Sequence, residues 1–230
     1  MTEKEYSTAE ELDFVKIPPY PRQIASYFPQ IMRDCCLKPD SPSLRILSRS
    51  STMIDKLTSD ELILQRYSLG DADDLLSAIK QSYNEISPWM SWLTLDYDLI
   101  AAKEFIILQM NNWSENLEYT FAIRDKQGTF LGTIGLHIYD KLNGVASIGY
   151  WMNTQYCCRG YCTQAVKSLV ENTMKSLNLI RIEIIVATQN QASQRVAIKS
   201  GAKFEAVLKN RIKLHGKAID ANMNAIYSKI

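Results

Sequence analysis

The segment from Gly149 to Leu177 constrains this chain most. It opens on an apolar run, passes through a short loop around Gly160, and continues with apolar residues at helical spacing. From Thr163 onward, Val166, Leu169, Val170, the methyl of Thr173 and Leu177 form one stripe; Gln164, Lys167, Ser168, Glu171 and Lys175 fall on the other face. The spacing predicts a strand that runs through a tight loop into a helix N-terminus. Amides there lack helical partners and the macrodipole adds partial positive charge, so the place suits a phosphate. Arg159 can add a full charge, and Gly160 lets backbone and ligand approach closely. An ordinary strand–loop–helix link with a turn glycine would show the same spacing, so the rest of the chain has to decide.

The 230 residues suffice for one well-cored domain and an appendage. A net charge of +1 gives no footprint for nucleic acid or an anionic membrane. No apolar run reaches the roughly 18 residues of a membrane span, and the acidic, polar start does not resemble a signal peptide. Five cysteines, with Cys35–Cys36 and Cys157–Cys158 adjacent, are no disulfide framework, which points to reduced thiols in a cytoplasm. His137 and His215 lie apart and no C-x-x-C pair occurs, so no metal site is expected.

Residues 1–56 form a Pro-rich extension, with six of the seven prolines between Pro18 and Pro42 and one short helix expected over 24–36. It reads either as a partly ordered arm packed on the main domain or as a partner-docking arm. Residues 57–230 read as the domain. Strands are expected at 62–67, 119–124, 130–139, 145–152, 181–187, 204–208 and 218–228. Helices are expected at 71–79 with Asp71 as cap, at 98–113, at 163–177, and at 191–200 with Gly201 as the stop. That order gives an α+β domain on a mixed, mostly antiparallel sheet flanked by helices.

Gly149-Tyr150-Trp151-Met152, then Arg159-Gly160 and Thr163-Gln164-Ala165, resemble the acyl-CoA motif of the GNAT superfamily of N-acetyltransferases, in its ribosomal-protein (RimJ/RimL-type) branch. Cys157 stands where that motif has Gln or Arg, and Cys162 where it has a small Gly or Ala. Asn84-Glu85, Pro88-Trp89 and Trp92 resemble a second segment of the branch, one that borders the acceptor cleft. Asn190 and Ser193 match its Asn-x-x-Ser. The resemblance covers about 57–230 and implies the GNAT fold with acetyl-CoA as co-substrate. It implies a cofactor site at Tyr150, Met152, Cys157, Cys158, Arg159, Gly160, Tyr161, Cys162, Thr163 and Asn190. It implies Ser193 as proton donor to the leaving thiolate, and Glu85, Trp89 and Trp92 near the acceptor; His137, on the adjacent strand, is read as a further residue of that cleft. It also implies that the strands at 145–152 and 181–187 part to admit the pantetheine arm; Gly149 is consistent with a bulge there.

Acyl transfer from a thioester to an amine needs a neutral amine, a stabilised oxyanion and a protonated leaving thiolate. Members of the branch carry Glu at the position of Ser147, or in the stretch aligned with Lys209–Lys213; neither holds a carboxylate here. His137, Glu85, Asp140 and a relayed water remain as bases. An α-amine sheds its proton more readily than lysine, so the expected acceptor is a protein or peptide N-terminus; the chain itself is expected as a monomer or homodimer. A weak acyl-CoA-binding or partner-binding module and a small-amine or antibiotic acetyltransferase remain open. Cys157, Cys158 and Cys162 flank the expected anion site, where a helix N-terminus lowers thiol pKa. Oxidation there would block the cofactor, unless these are simply tolerated small residues.

Overall fold

The computed structural model describes residues 53–228. The proline-rich stretch and the short helix expected over 24–36 lie outside these residues. The elements are β1 (Lys56–Thr58), β2 (Leu62–Arg66), α1 (Ala72–Gln81), α2 (Tyr83–Ile86), α3 (Leu99–Ser114), β3 (Glu118–Asp125), β4 (Phe130–Asp140), β5 (Val145–Met152), α4 (Tyr161–Thr173), β6 (Arg181–Ala187), α5 (Gln191–Lys199), β7 (Lys203–Leu214) and β8 (Lys217–Tyr227). The strands form one sheet in the order β1-β2-β3-β4-β5-β6-β8-β7. The β5–β6 pair is parallel and its neighbours on both sides are antiparallel. No helix among the described residues is long and apolar enough to cross a membrane.

Strand alternation gives the sheet two buried faces. Tyr119, Phe121, Ile134, Leu136, Ala146, Ile148, Ile182 and Ile184 pack on one face against Ala165, Val166 and Leu169 of α4 and Ala197 of α5. On the other, Ala122, Phe130 and Trp151 meet Leu75, Ala78 and Ile79 of α1 and Ala102 and Ile106 of α3. Asp71 was expected to cap α1. Its carboxylate instead receives the Ser68 N–H at 2.7 Å and the Arg124 guanidinium at 2.5 Å, tying a 3-10 turn at Leu69–Asp71 to β3. The opposite charge and short reach of that arginine outbid the cap.

Two boundaries differ from those expected, for local reasons. The helix after the loop begins at Tyr161 and ends at Thr173 rather than Leu177. Hydroxyls of Thr173 and Ser176 bond back to the carbonyls of Leu169 and Asn172, and Asn178 turns the chain at φ 53°. Leu177 still reaches the core from that turn, and Ser168, on the face expected to be polar, is buried. The strand expected over 204–208 continues to Leu214 through an irregularity in its pairing with β8 between Leu208 and Ile212. Asn210 takes φ 52° there, and Asp220 holds both its N–H, at 3.0 Å, and the Lys209 ammonium, at 2.8 Å.

Candidate active site

β5 and β6 lie side by side only over Val145–Ser147 and Arg181–Glu183. Beyond those rungs β5 stays paired with β4 as far as Met152, and β6 with β8 as far as Ala187. The two strands therefore part into a wedge that opens towards their C-terminal ends. Backbone groups on its facing edges have no strand partner and are left to water or a ligand. Gly149 makes no bulge: the β4–β5 pairing runs through Gly135↔Gly149 unbroken, and its irregularity lies between Ile138 and Asp140. The parting is a property of the β5–β6 edge, where each strand is held by its outer neighbour.

The loop at the mouth of the wedge is fixed from behind. Asn153, 4% exposed, accepts from the Gln155 N–H at 3.1 Å and donates to Gln81 Oε1 at 3.0 Å. The Thr154 N–H donates to Ser82 Oγ at 2.9 Å, and Ser82 is fully buried. Asn153 and Ser82 thus anchor a 3-10 turn at Thr154–Tyr156 to the end of α1. Nothing in the sequence motif singles them out. Beyond the turn Cys157, Cys158, Arg159 and Gly160 are exposed, with Cys158 at φ 63° and Gly160 at φ 86°. A Cβ on Gly160 would meet nothing, so glycine serves the left-handed backbone here rather than close packing. The first helical bond of α4 runs from the Gln164 N–H to the Gly160 carbonyl, and no side chain caps the end. The amides of Tyr161, Cys162 and Thr163 therefore face outward without helical acceptors. Arg159 sits 5.5 Å over the Tyr156 ring. Burial pushes the thiols of Cys157 and Cys162 up, against the lowering expected at a helix N-terminus. Met152 turns its side chain into the core, so only its backbone borders the wedge.

Tyr150, on the α4–α5 face of β5, reaches the start of α5. Its hydroxyl donates to the Ser193 carbonyl at 3.0 Å and accepts from Ser193 Oγ at 3.2 Å. Burial raises its pKa. Asn190 caps α5, taking the Ser193 N–H at 3.0 Å. The Tyr150–Ser193 pair therefore spans the wedge beside the mouth.

The opposite face of the sheet is organised in cross-strand rows. Ala122, Thr133 and Trp151 form one row; Thr120, Gly135 and Gly149 the next; Glu118, His137, Ser147 and Glu183 the third. The wedge opens beyond the third row, whose Ser147–Glu183 rung is the last that joins β5 to β6. Glu118, 7% exposed, accepts from Asn112 Nδ2 at 3.3 Å and from Thr120 Oγ1 at 3.1 Å; burial pushes its carboxyl up to about 7. Sequence reasoning missed it, because Glu115-Asn-Leu-Glu118 reads as a polar helix end. Burial pushes the half-buried His137 down. Glu85 is exposed and takes the Thr154 hydroxyl at 3.3 Å. Trp92 stacks on Phe105 at 6.5 Å and Trp89 is half-buried in a 3-10 turn. The β7–β8 hairpin comes back to this segment, with His215 Nε2 2.9 Å from the Ser87 carbonyl.

Comparison with known proteins supplies the chemistry. Residues 61–203 match the model of the acetyltransferase (GNAT) domain. The Bacillus licheniformis protein named uncharacterized N-acetyltransferase p20 is 28% identical over 177 residues, 76% of this chain and 98% of that protein. The ribosomal-protein-serine acetyltransferase of Escherichia coli is 30% identical over 100 residues, 44% of this chain and 56% of that protein. Among solved structures, the microcin C7 self-immunity acetyltransferase MccE, in complex with acetyl-CoA and AMP, superposes with a TM-score of 0.71 at 25% identity, over 74% of this chain and 94% of that one. With most of the domain matched and the sheet built accordingly, the chain belongs to the GNAT family of acetyltransferases and is an acetyl-CoA-dependent N-acyltransferase.

Proposed function

We propose that this enzyme acetylates the α-amine at the N-terminus of a protein or peptide, with acetyl-CoA held in the wedge between β5 and β6. The observation that carries the reading is the wedge itself, which opens beside an exposed loop whose amides lack helical acceptors. Acetyl-CoA supplies the activated acyl group. The amides of Tyr161, Cys162 and Thr163, with Arg159, offer hydrogen bonds and charge to a diphosphate. The unpaired edges of β5 and β6 match the amide groups of a pantetheine arm. Ser193 and Tyr150 hold a hydroxyl proton beside the wedge. A thiol of pKa about 8.5 needs only a weak donor, so this pair is the proposed source of the proton for the leaving sulfur. The acceptor enters from the α1–α3 face, past Trp89, Trp92, Glu85 and His137, under the His215–Ser87 contact.

The choice of acceptor follows from proton energetics. An α-amine has a pKa about 2.5 units below lysine, which makes deprotonation at neutral pH about 3.5 kcal/mol cheaper. The free thiols of Cys157, Cys158 and Cys162 suit a reducing cytoplasm, and the Escherichia coli relative is named for a ribosomal protein. The test is CoA release at pH 7 from two peptide sets, one with a free N-terminus and no lysine, one N-terminally blocked with lysine. A preference for the first on the order of a hundredfold in kcat/KM is expected. Equal turnover would overturn the α-amine assignment. A free small amine outcompeting every peptide would move the reading to small-amine acetylation.

A further inference from the structure

The row map leaves the α1–α3 face with a side-chain-free floor. Gly135 and Gly149 are partners on adjacent strands, and a Cβ on Gly149 would meet nothing within 4 Å. A Cβ on Gly135 would meet Glu118 Oε1 at 3.2 Å and Thr120 Oγ1 at 3.1 Å. The Glu118 carboxyl thus lies over β4, at the inner end of this floor. The wedge lies beyond Gly149, about one strand spacing of 5 Å further on. Between them Gly149 carries no side chain, and nothing stands within 4 Å of where its Cβ would be.

We infer that Glu118 takes the proton from the incoming amine, relayed by water over the Gly135–Gly149 floor. The step is a proton transfer alone: the ammonium of the acceptor loses one proton, Glu118 gains it, and Glu118 returns it to solvent between turnovers. This rests on the acceptor entering from the α1–α3 face. The hydrogen bonds around the carboxyl accommodate both charge states. The Thr120 hydroxyl has one proton and lies 2.8 Å from Gln109 Oε1 and 3.1 Å from Glu118 Oε1. When that proton serves Gln109, the Glu118 contact is made by a protonated carboxyl. Turning the Gln109 amide over makes its N–H the donor to Thr120, whose proton then serves an ionised Glu118.

Other groups facing this floor are less suited. Glu183, on the same row, is bound to Arg181 at 2.7 Å. Asp140, at the far end of β4, is partly exposed and held low by bonds from Asn143. His137 is pushed down by burial, which weakens it as a base. From α3, Gln109 and Asn112 carry no charge. Among the described residues Glu118 makes no ion pair, so its burial costs stability that no paired cation offsets. Its raised pKa lies about one unit below that of an α-amine and more than three below lysine, so the transfer is matched to the proposed acceptor.

The test uses the full chain, α-amine peptides and Glu118→Gln. Wild type should show kcat/KM rising with pH through a limb near 7. Glu118→Gln should lose about a hundredfold in kcat/KM at pH 7 and move that limb towards the pKa of the amine, with acetyl-CoA affinity unchanged. As a readout independent of turnover, the infrared band of a protonated carboxyl that Glu118→Gln abolishes should titrate near pH 7. A variant with wild-type rate and pH profile, or a band that titrates in the ordinary carboxylate range, overturns the role of Glu118 and leaves the transferase reading intact. A wild type that turns over no peptide or small amine overturns the acceptor reading and this inference together.

Discussion

At the residue scale, the proposed chemistry rests on one pair of side chains and one glutamate, and only the pair was legible in advance. Ser193 and Tyr150 both belong to sequence motifs, although 43 positions separate them and only the fold brings their hydroxyls to 3.2 Å. Because they share one proton arrangement, Ser193→Ala and Tyr150→Phe should each lower kcat about tenfold, and the double variant by much less than the product of the two. Steady-state kinetics on all three proteins checks this. Glu118 was not legible: a glutamate beside a helix end looks solvated, and only the packing of α3 over β3 buries it. Its folded pKa is raised above the unfolded value. The folded chain therefore holds more protons between the ordinary carboxylate range and pH 7, and stability falls as pH rises through that window. Glu118→Gln abolishes this loss. The variant should match wild type near pH 4 and exceed it at pH 8 by on the order of 3 kcal/mol, read from urea midpoints.

At the element scale, the phosphate-type loop depends on an anchor outside it. Hydrogen bonds from Asn153 and Thr154 to Gln81 and Ser82 cross more than 70 positions of sequence and set where α4 begins. Asn153→Ala leaves Gln81 Oε1 without its donor and the buried Ser82 hydroxyl without the Asn153 Oδ1 acceptor 3.4 Å away. It should cost about 1–3 kcal/mol and weaken acetyl-CoA binding although Asn153 itself lies behind the loop; calorimetric titration and thermal melts check both effects. The helix stripe at Val166, Leu169, Val170 and Thr173 was readable because burial on one face imposes the 3.6 period. Its C-terminal end was not readable. Side-chain hydroxyls at Thr173 and Ser176 compete for carbonyls only once the turn at Asn178 lets Leu179 close on Met174. β7 ran longer than its apolar core suggested for a similar reason. Asp220, on the partner strand, satisfies the irregularity at Asn210.

At the scale of the whole molecule, ligand and fold are linked through the wedge. Acetyl-CoA binds the folded chain alone, so a concentration of a hundred times Kd should stabilise it by about 2.7 kcal/mol and raise Tm accordingly; a melt unmoved by acetyl-CoA would contradict the site. What the sequence determined by itself was local: strand and helix order, the glycine at the left-handed turn, and the motif residues that gather at the mouth of the wedge. These follow from periodicity and backbone sterics, which act between near neighbours. Tertiary structure alone decided where β5 and β6 part, which side of the sheet each motif faces, and that Glu118 is buried beside Gly135. Those outcomes depend on pairing register and on which helix covers which face, and both are settled by contacts between residues far apart along the chain.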